Sequence, residues 1–539
     1  MNKVLAILSM LDQPPHRPSS ATRLFHAQPV LSWTLRRLAD AKHIDGAAVL
    51  CWDDQAPEVL HLAQRPAVTV APQGPRRTLP HMQAVAAALR WSDGWRGGLL
   101  GTCVFDRGFH APFVQAQQRQ HSADAVLLVD PDSALLDPGL IDGLIEHARR
   151  HADVEYCFIP AAPGLGAMLL RPPLLERMAA VNAYPGRLFG YFPGVPVRDP
   201  LGGQECAPVP TPVARTVHRF TADSQRQLAR LHAATAALNG KLLSISAEQL
   251  VSLYPPDPLD ALPRDVVLEL TTRRASRPIH SPIAHLGIDR PDLPLEAARR
   301  IIDELSALDD VRLTLGGTGD PLLHPHVLQI IAEASAAGCA IHVETDLLEV
   351  ADGMDVERLA ESGLDVLSIH VPALTGATYQ HVMGIDGWRR VIDNIQRLLA
   401  RLQASGMATP LLVPTFTKCR QNLAEMEPWY DQWLRSVGTA VIVGPSDWGG
   451  LIPDVAVADM SPPRRIACRR LSRRLSIHSD GTVVSCEEDV LARQRLGTVG
   501  ERPLTDLWRQ SMSCLRRDHA AGRWDEHAVC ARCRQWHRP

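Results

Sequence analysis

The sequence predicts an α/β protein built on parallel sheets, closed by a small cysteine-bearing module. Three observations predict it. Strand-like apolar runs alternate with amphipathic helical runs through both halves of the 539 residues, as in parallel sheets crossed by helices. The alternation lapses in 241–264, where "LVSLYPPDPLDALPRD" carries the prolines of a connection. Five of the eleven cysteines then crowd into the last stretch, at 468, 486, 514, 530 and 533. The predicted organisation is a Rossmann-like unit over 1–240, a linker over 241–264, a partial barrel over 265–461 and a metal-binding module over 462–539.

In the first unit, "KVLAILSM", "GAAVLCW", "TCVFD" and "AVLLVD" read as strands. "PVLSWTLRRLADA" and "GLIDGLIEHARRH" read as helices, with apolar residues three and four apart. Beyond the linker, strands fall near 266–271, 311–315, 340–344, 365–369, 410–414 and 440–444, each followed by a helical run. Six such units are too few for an eight-fold barrel. They predict an open one, with its ligands at the C-terminal strand ends.

Composition narrows the function. An apolar fraction of 45%, a charged fraction of 21% and a net charge of −3 describe a soluble globular chain. They give no electrostatic reason to expect nucleic acid or an anionic membrane as partner. No apolar run reaches the roughly 18 residues of a membrane span, and "MNKVLAILSML" reads as a first strand of a cytoplasmic protein. Lys3, Lys42, Lys241 and Lys418 are the only lysines among 56 cationic residues. Phosphate handled between 43 and 240 must therefore be met by arginine or backbone N–H groups.

"C468RRLSRRLSIHSDGTVVSC486" contains a hairpin, with Asp480-Gly481 supplying its turn, that folds Cys486 back toward the segment carrying Cys468. "C530ARC533" adds two thiols from one turn, and Leu504, Leu507, Trp508 and Leu515 pack the intervening helix over them. Four thiolates from three places suit a 4Fe–4S cluster or a structural zinc. The six earlier cysteines, and Cys514, read as core residues. With "LGTV" (496–499) and "LTDLW" (504–508), the spacing resembles the SPASM domain. That resemblance implies an iron–sulfur cluster on Cys468, Cys486, Cys530 and Cys533, with zinc as the alternative.

Next to such a module, residues 265–461 look like a radical SAM barrel. The strand ending in "ELTTR" (269–273) resembles that family's first strand, which is followed by Cys-x3-Cys-x2-Cys. The three thiolate places fall on Arg274, Pro278 and Ser281, none of which supplies a thiolate, and His280 alone does not hold a cubane. "LTLGGTGDPLLHP" (313–325) resembles the phrase that holds the amino group of SAM, with Asp320 where Glu is usual. "VETDLL" (343–348) and "SIH" (368–370) resemble the third and fourth strand ends. The implied SAM-like pocket is Gly316, Gly317, Gly319, Asp320, Thr345 and Ser368. The glycines alternatively serve only the turn. Lacking the cluster ligands, the loop leaves SAM without the iron it would chelate. Arg273, Arg274 and Arg277 then form a grip for carboxylate or phosphate, or a solvated basic loop.

The first 240 residues resemble the sugar cytidylyltransferases. "SATRLFHAQPVLSWTLRRLADAKHIDGAAVLCWDD" is similar to their opening, "LLVDPDSALLDPGLID" (127–142) to their metal-binding phrase and "HRFTAD" (218–223) to a late one. The resemblance places Mg²⁺ on Asp132 and Asp223, and nucleotide phosphates on Arg23 and Arg96. The loop "SMLDQPPHRPSS" lacks the glycines expected there. The two aspartates are otherwise ordinary strand-end carboxylates. The whole combination resembles the spiro-SPASM proteins. It implies a role in nucleotide-sugar or surface-glycan metabolism on a small-molecule or nucleotide-sugar ligand. The alternatives are a non-catalytic scaffold with a protein partner and an unorthodox SAM enzyme.

Overall fold

The computed structural model describes residues 1–12, 19–196, 199–238, 241–254 and 260–538. The chain divides into two compact units, Met1–Pro258 and Leu259–Pro539.

The first unit holds β1 (Val4–Ser9), β2 (Leu24–Phe25), β3 (Gln28–Pro29), β4 (Gly46–Cys51), β5 (Val68–Pro72), β6 (Ala125–Val129), β7 (Tyr156–Phe158) and β8 (Met168–Leu170). β2 and β3 pair on their own, and the others form a sheet in the order β5-β4-β1-β6-β8-β7. The first four strands of that order are parallel, and β8 runs antiparallel to both its neighbours, β6 and β7. Along β1, Val4, Ala6 and Leu8 enter one core while Leu5 and Ile7 enter another. Both faces are therefore covered, which is why this strand reads as a continuous apolar run. The two predicted helices form over Val30–Ala39 and Pro138–Arg150.

"TCVFD" is not a strand. Val104–Asp106 makes a single 3-10 turn because the buried Asp106 carboxylate folds back to accept the Cys103 N–H at 2.7 Å. It also accepts the Gly186 N–H, at 2.7 Å. Side chain and backbone compete for the same groups here, and the local bond wins over the strand. The proline-bearing segment also carries more structure than its composition suggests. A helix over Ala247–Leu253 is closed by a capping box between Ser246 and Gln249. Leu242, Ile245, Leu250 and Tyr254 belong to the first unit's core.

The second unit holds β9 (Asp265–Leu268), β10 (Arg312–Leu315), β11 (Ala340–Thr345), β12 (Val366–His370), β13 (Leu411–Thr417), β14 (Val441–Val443), β15 (Arg474–Ile477), β16 (Thr482–Val484) and β17 (Arg495–Thr498). All six strands expected beyond the linker are present, and they pair in parallel, each beside its sequence neighbour. That sequential order has no midway reversal, unlike the order of a doubly wound sheet. The sheet continues past β9. Strand β15 joins it in parallel, with Leu475 beside Val266, and β16 and β17 follow antiparallel. Among the described residues, one nine-stranded sheet thus runs from β14 to β17. The β15–β16 turn uses Gly481 at φ +82°, as the Asp480-Gly481 pair predicts.

Candidate functional site

Parallel strands deliver their following loops to one end of the sheet. The register sets Leu268 of β9 beside Leu315 of β10, and Leu315 beside Val343 of β11. The loops after these strands, with the end of β12, therefore meet at the same edge. They carry Arg274, Gly316–Asp320, Thr345, Asp346 and His370.

What they build is a buried ion pair. The Arg274 guanidinium grips Asp346 with both arms, Nε to Oδ2 at 2.8 Å and Nη2 to Oδ1 at 2.5 Å. The two side chains are 7% and 1% exposed. The Ser276 hydroxyl also donates to Asp346, and His370 Nδ1 lies 3.0 Å from it. Burial alone would push the Asp346 carboxyl up, but Arg274 and His370 outweigh it and hold it far below the usual range. Neighbouring Asp320 accepts from the Thr345 hydroxyl at 2.8 Å and the Asp346 N–H at 2.9 Å. Burial and the Asp346 charge push Asp320 up to about 6. Arg274 is thus neither a grip for a ligand nor a solvated charge. Arg273 is likewise engaged, with Asp292 at 2.7 Å and the Leu323 carbonyl at 2.7 Å.

The other two positions that the resemblance gave to thiolates carry no thiol. Pro278 is buried without a side-chain donor, and buried Ser281 gives its backbone N–H to the Pro278 carbonyl at 2.9 Å. His280 Nδ1 is buried without a hydrogen bond. Burial, then His370 and Arg274, push its ring down to about 3, so it stays neutral. A guanidinium, a proline and a hydroxyl cannot supply the thiolates a cubane requires.

The glycine-rich phrase has its own packing reason. A Cβ on Gly319 would lie 2.2 Å from the Thr271 carbonyl oxygen, and one on Gly317 would lie 3.0 Å from the Glu269 side chain. Glu269, absent from the predicted pocket, anchors the phrase. It accepts from Thr318 Oγ1 at 2.6 Å and from both arms of Arg290 at 2.9 Å. Ser368 lies beside Glu344 in the β11–β12 register and bonds His342 at 2.7 Å; among the described residues it makes no bond to Asp320 or Thr345.

The four C-terminal thiols lie within electrostatic reach of one another. Burial pushes Cys530 up to about 12, with Cys533 and Cys468 adding to it. Burial, then Glu488, pushes Cys533 up to about 11, with Cys468 contributing. Cys486 is pushed well above its ordinary value by burial, with Cys530 a smaller cause. Thiols buried this deeply ionise only with a compensating positive charge. Arg470 stands among them, 2.9 Å from Glu487 and within electrostatic reach of Cys486 and Cys468. Among the described residues, no three His, Cys, Asp or Glu side chains are gathered closely enough for a single metal ion. Cys514 is exposed rather than core, its thiol 3.5 Å from Asp518.

In the first unit, Asp132 and Asp223 do approach one another, around arginines. Arg107 reaches Asp132 at 2.5 Å, Asp12 at 3.0 Å and Asp130 at 3.2 Å, and Arg219 pairs with Asp223. Ser20 donates to Asp132 at 2.5 Å. Burial, only partly offset by Arg107, pushes Asp132 up to about 6. Arg96 instead lies over the Trp95 ring, 5.1 Å away. Arg23 closes the 3-10 turn that bears Ser20. The loop 13–18 lies outside the described residues. Sequence reasoning missed Arg107, which directly follows "TCVFD", and Asp346, which stands beside Thr345 in a phrase that had been singled out.

Residues 276–426 match the family model described as the radical SAM superfamily, and residues 468–534 match the iron-sulfur cluster-binding SPASM domain. The chain carries a radical SAM domain and a SPASM domain. It is similar to an uncharacterized protein of Treponema pallidum (strain Nichols), 24% identical over 294 residues, which span 52% of this chain and 80% of that one. It is also similar to a tungsten-containing aldehyde ferredoxin oxidoreductase cofactor-modifying protein of Pyrococcus furiosus, 22% identical over 285 residues, 45% of this chain and 79% of that one. A solved cytidylyltransferase of Leptospira borgpetersenii serovar Hardjo-bovis is 13% identical, covering 48% of this chain and 98% of its own at a TM-score of 0.34. A likeness that loose carries no inference about the first unit. Radical SAM and SPASM domains imply iron–sulfur clusters and SAM binding. No helix of the described residues is long and apolar enough to cross a membrane.

Proposed function

We propose that this is an iron–sulfur protein with one cluster, held by Cys468, Cys486, Cys530 and Cys533, whose radical SAM domain does not cleave SAM. The observation that carries the proposal is the buried Arg274–Asp346 pair. It puts a fixed positive charge and its counter-ion where the first thiolate would stand. A bound cluster stores and passes single electrons. Around it, the four cysteines are the ligands, and Arg470 sets positive charge beside two of them. Anaerobic reconstitution followed by iron and sulfide analysis tests this. The proposal expects about four irons per chain, and about eight would restore an unorthodox SAM enzyme.

For the first unit, the proposal is nucleotide-sugar handling in surface-glycan metabolism, within the cytoplasm and without nucleic acid or membrane. Support comes from the convergence of Asp132 and Asp223 with Arg107 and Arg219 at one strand end. For Mg²⁺ to sit on these carboxylates, Arg107 must first release Asp132. Calorimetry with CTP and UTP in Mg²⁺ should show binding that Asp132→Ala abolishes, and the absence of heat with both nucleotides would overturn the assignment. The engagement of both carboxylates by arginines also favours a second reading, a non-catalytic scaffold. A protein retained on the tagged chain, together with no nucleotide binding, would support it.

A further inference from the structure

A cavity of about 510 Å³ opens at the carboxyl ends of β13 and β14, away from the Arg274–Asp346 pair. That volume lies within the ~300–1,000 Å³ of small-molecule sites, and the carboxyl ends of parallel strands are where such sites form. One side is apolar, with Ile442, Val443, Val457 and Met460. The other side carries charge, and the state of those charges decides what the cavity accepts.

The acidic residues on its wall gather around one arginine, with one Asp447 oxygen left buried without a hydrogen bond. Asp454 binds Arg534 at 2.9 Å, and Asp447 and Asp459 each lie 3.9 Å from the same guanidinium. Arg470 is held by Glu487 and Glu488. Two cations on the wall remain. Lys418, the residue after β13, gives its backbone N–H to the Val443 carbonyl, and among the described residues no carboxylate lies within ion-pair distance of its ammonium. Arg538 donates only to the Gly444 carbonyl at 2.8 Å and likewise has no carboxylate partner among the described residues. Burial and the neighbouring Arg470 charge push the Arg538 guanidinium down from its ordinary value, while Glu488, already bound to Arg470 and the Ser446 hydroxyl, acts the other way from a longer range.

From this we infer that the cavity binds an organic anion, its carboxylate or phosphate head on Lys418 and Arg538 and its hydrocarbon body against Ile442, Val443 and Met460. Arginine and lysine are the residues that hold such heads in partly dry sites, where a charge-assisted bond is strongest. The apolar wall makes an inorganic ion an incomplete occupant. This inference stands independently of whether the SPASM cysteines hold a cluster or SAM is cleaved.

Calorimetry on the full chain tests it with four probes: hexyl phosphate, hexanoate, inorganic phosphate and hexylamine. At least one amphiphilic anion should bind, at least about tenfold more tightly than inorganic phosphate, and hexylamine should not bind. Binding by hexyl phosphate alone assigns a phosphate head, and binding by hexanoate alone assigns a carboxylate. Lys418→Met and Arg538→Gln should each weaken the bound anion about tenfold while melting like the parent. Because the two residues lie on separate segments, a folding defect in one leaves the other as the test. Absence of binding by both amphiphilic anions would overturn the inference. So would equal binding of hexylamine, or affinities indifferent to a folded variant.

Discussion

Arg274→Met deletes a charge while keeping most of the side chain's reach. With guanidinium and carboxylate 7% and 1% exposed, solvent screens the pair little. The variant leaves Asp346 buried, with the Ser276 hydroxyl and the His370 ring as its remaining side-chain partners. A buried charge stripped of its partner costs about 3–5 kcal/mol. Two remaining donors put this case at the lower end, ~3 kcal/mol. At ~2–4 °C per kcal/mol for a domain of a few hundred residues, the melting transition should fall by roughly 6–12 °C. The pH dependence identifies the cause. In the parent, the Asp346 carboxyl is held low, so its contribution is present above the unfolded value of about 4 and lost as pH falls below it. In the variant, the stranded carboxylate is relieved by protonation as pH falls, so the gap between the proteins is widest near neutrality and narrows toward pH ~4. Arg274→Met combined with Asp346→Leu should recover most of the loss, since replacing a buried pair with apolar side chains is close to neutral. Calorimetric scans of the two variants against the parent at neutral and mildly acid pH decide it. A single variant melting within about 1 °C of the parent at neutral pH, or a double variant no better than the single, would refute the reasoning.

Three further outcomes follow from named residues. Cys530→Ala should lose the bound iron, whereas Cys514→Ala, exposed and bonded to Asp518, should keep it; iron assay and visible absorbance distinguish them. Asp106 is pushed up to about 7 by burial against the opposing N–H groups of Cys103 and Gly186. The folded first unit therefore binds a proton that the unfolded chain has released between about pH 4 and 7, and its stability should decline as pH rises through that window. Asp106→Asn should flatten that slope in denaturant titrations. Gly319→Ala forces a Cβ to 2.2 Å from the Thr271 carbonyl oxygen and should lower stability by about 1–3 kcal/mol, read from the melting transition.

The periodic parts of the fold were legible because strand and helix leave different apolar periods. The six strands from β9 to β14 lie close to where alternating Val, Leu and Ile place them, and the Gly481 turn follows from Asp-Gly between short apolar runs. "TCVFD" misled because its strand-like composition is overruled by one buried carboxylate, an effect that no window of residue types contains. The continuation of the sheet through β15 was hidden as well. Pairing between Val266 and Leu475 joins residues far apart in sequence, and nothing local encodes it. At the sites, the residues that carry recognisable phrases were found, whereas their counter-ions were not. Arg107 and Asp346 are assigned only when folding brings charges from distant segments together.

Paramagnetic resonance of the anaerobically reconstituted, dithionite-reduced chain, recorded with and without SAM, tests the central claim most directly. The account predicts one cluster signal, abolished by Cys486→Ala and unchanged by SAM. A second signal that survives Cys486→Ala and shifts when SAM is added would contradict it.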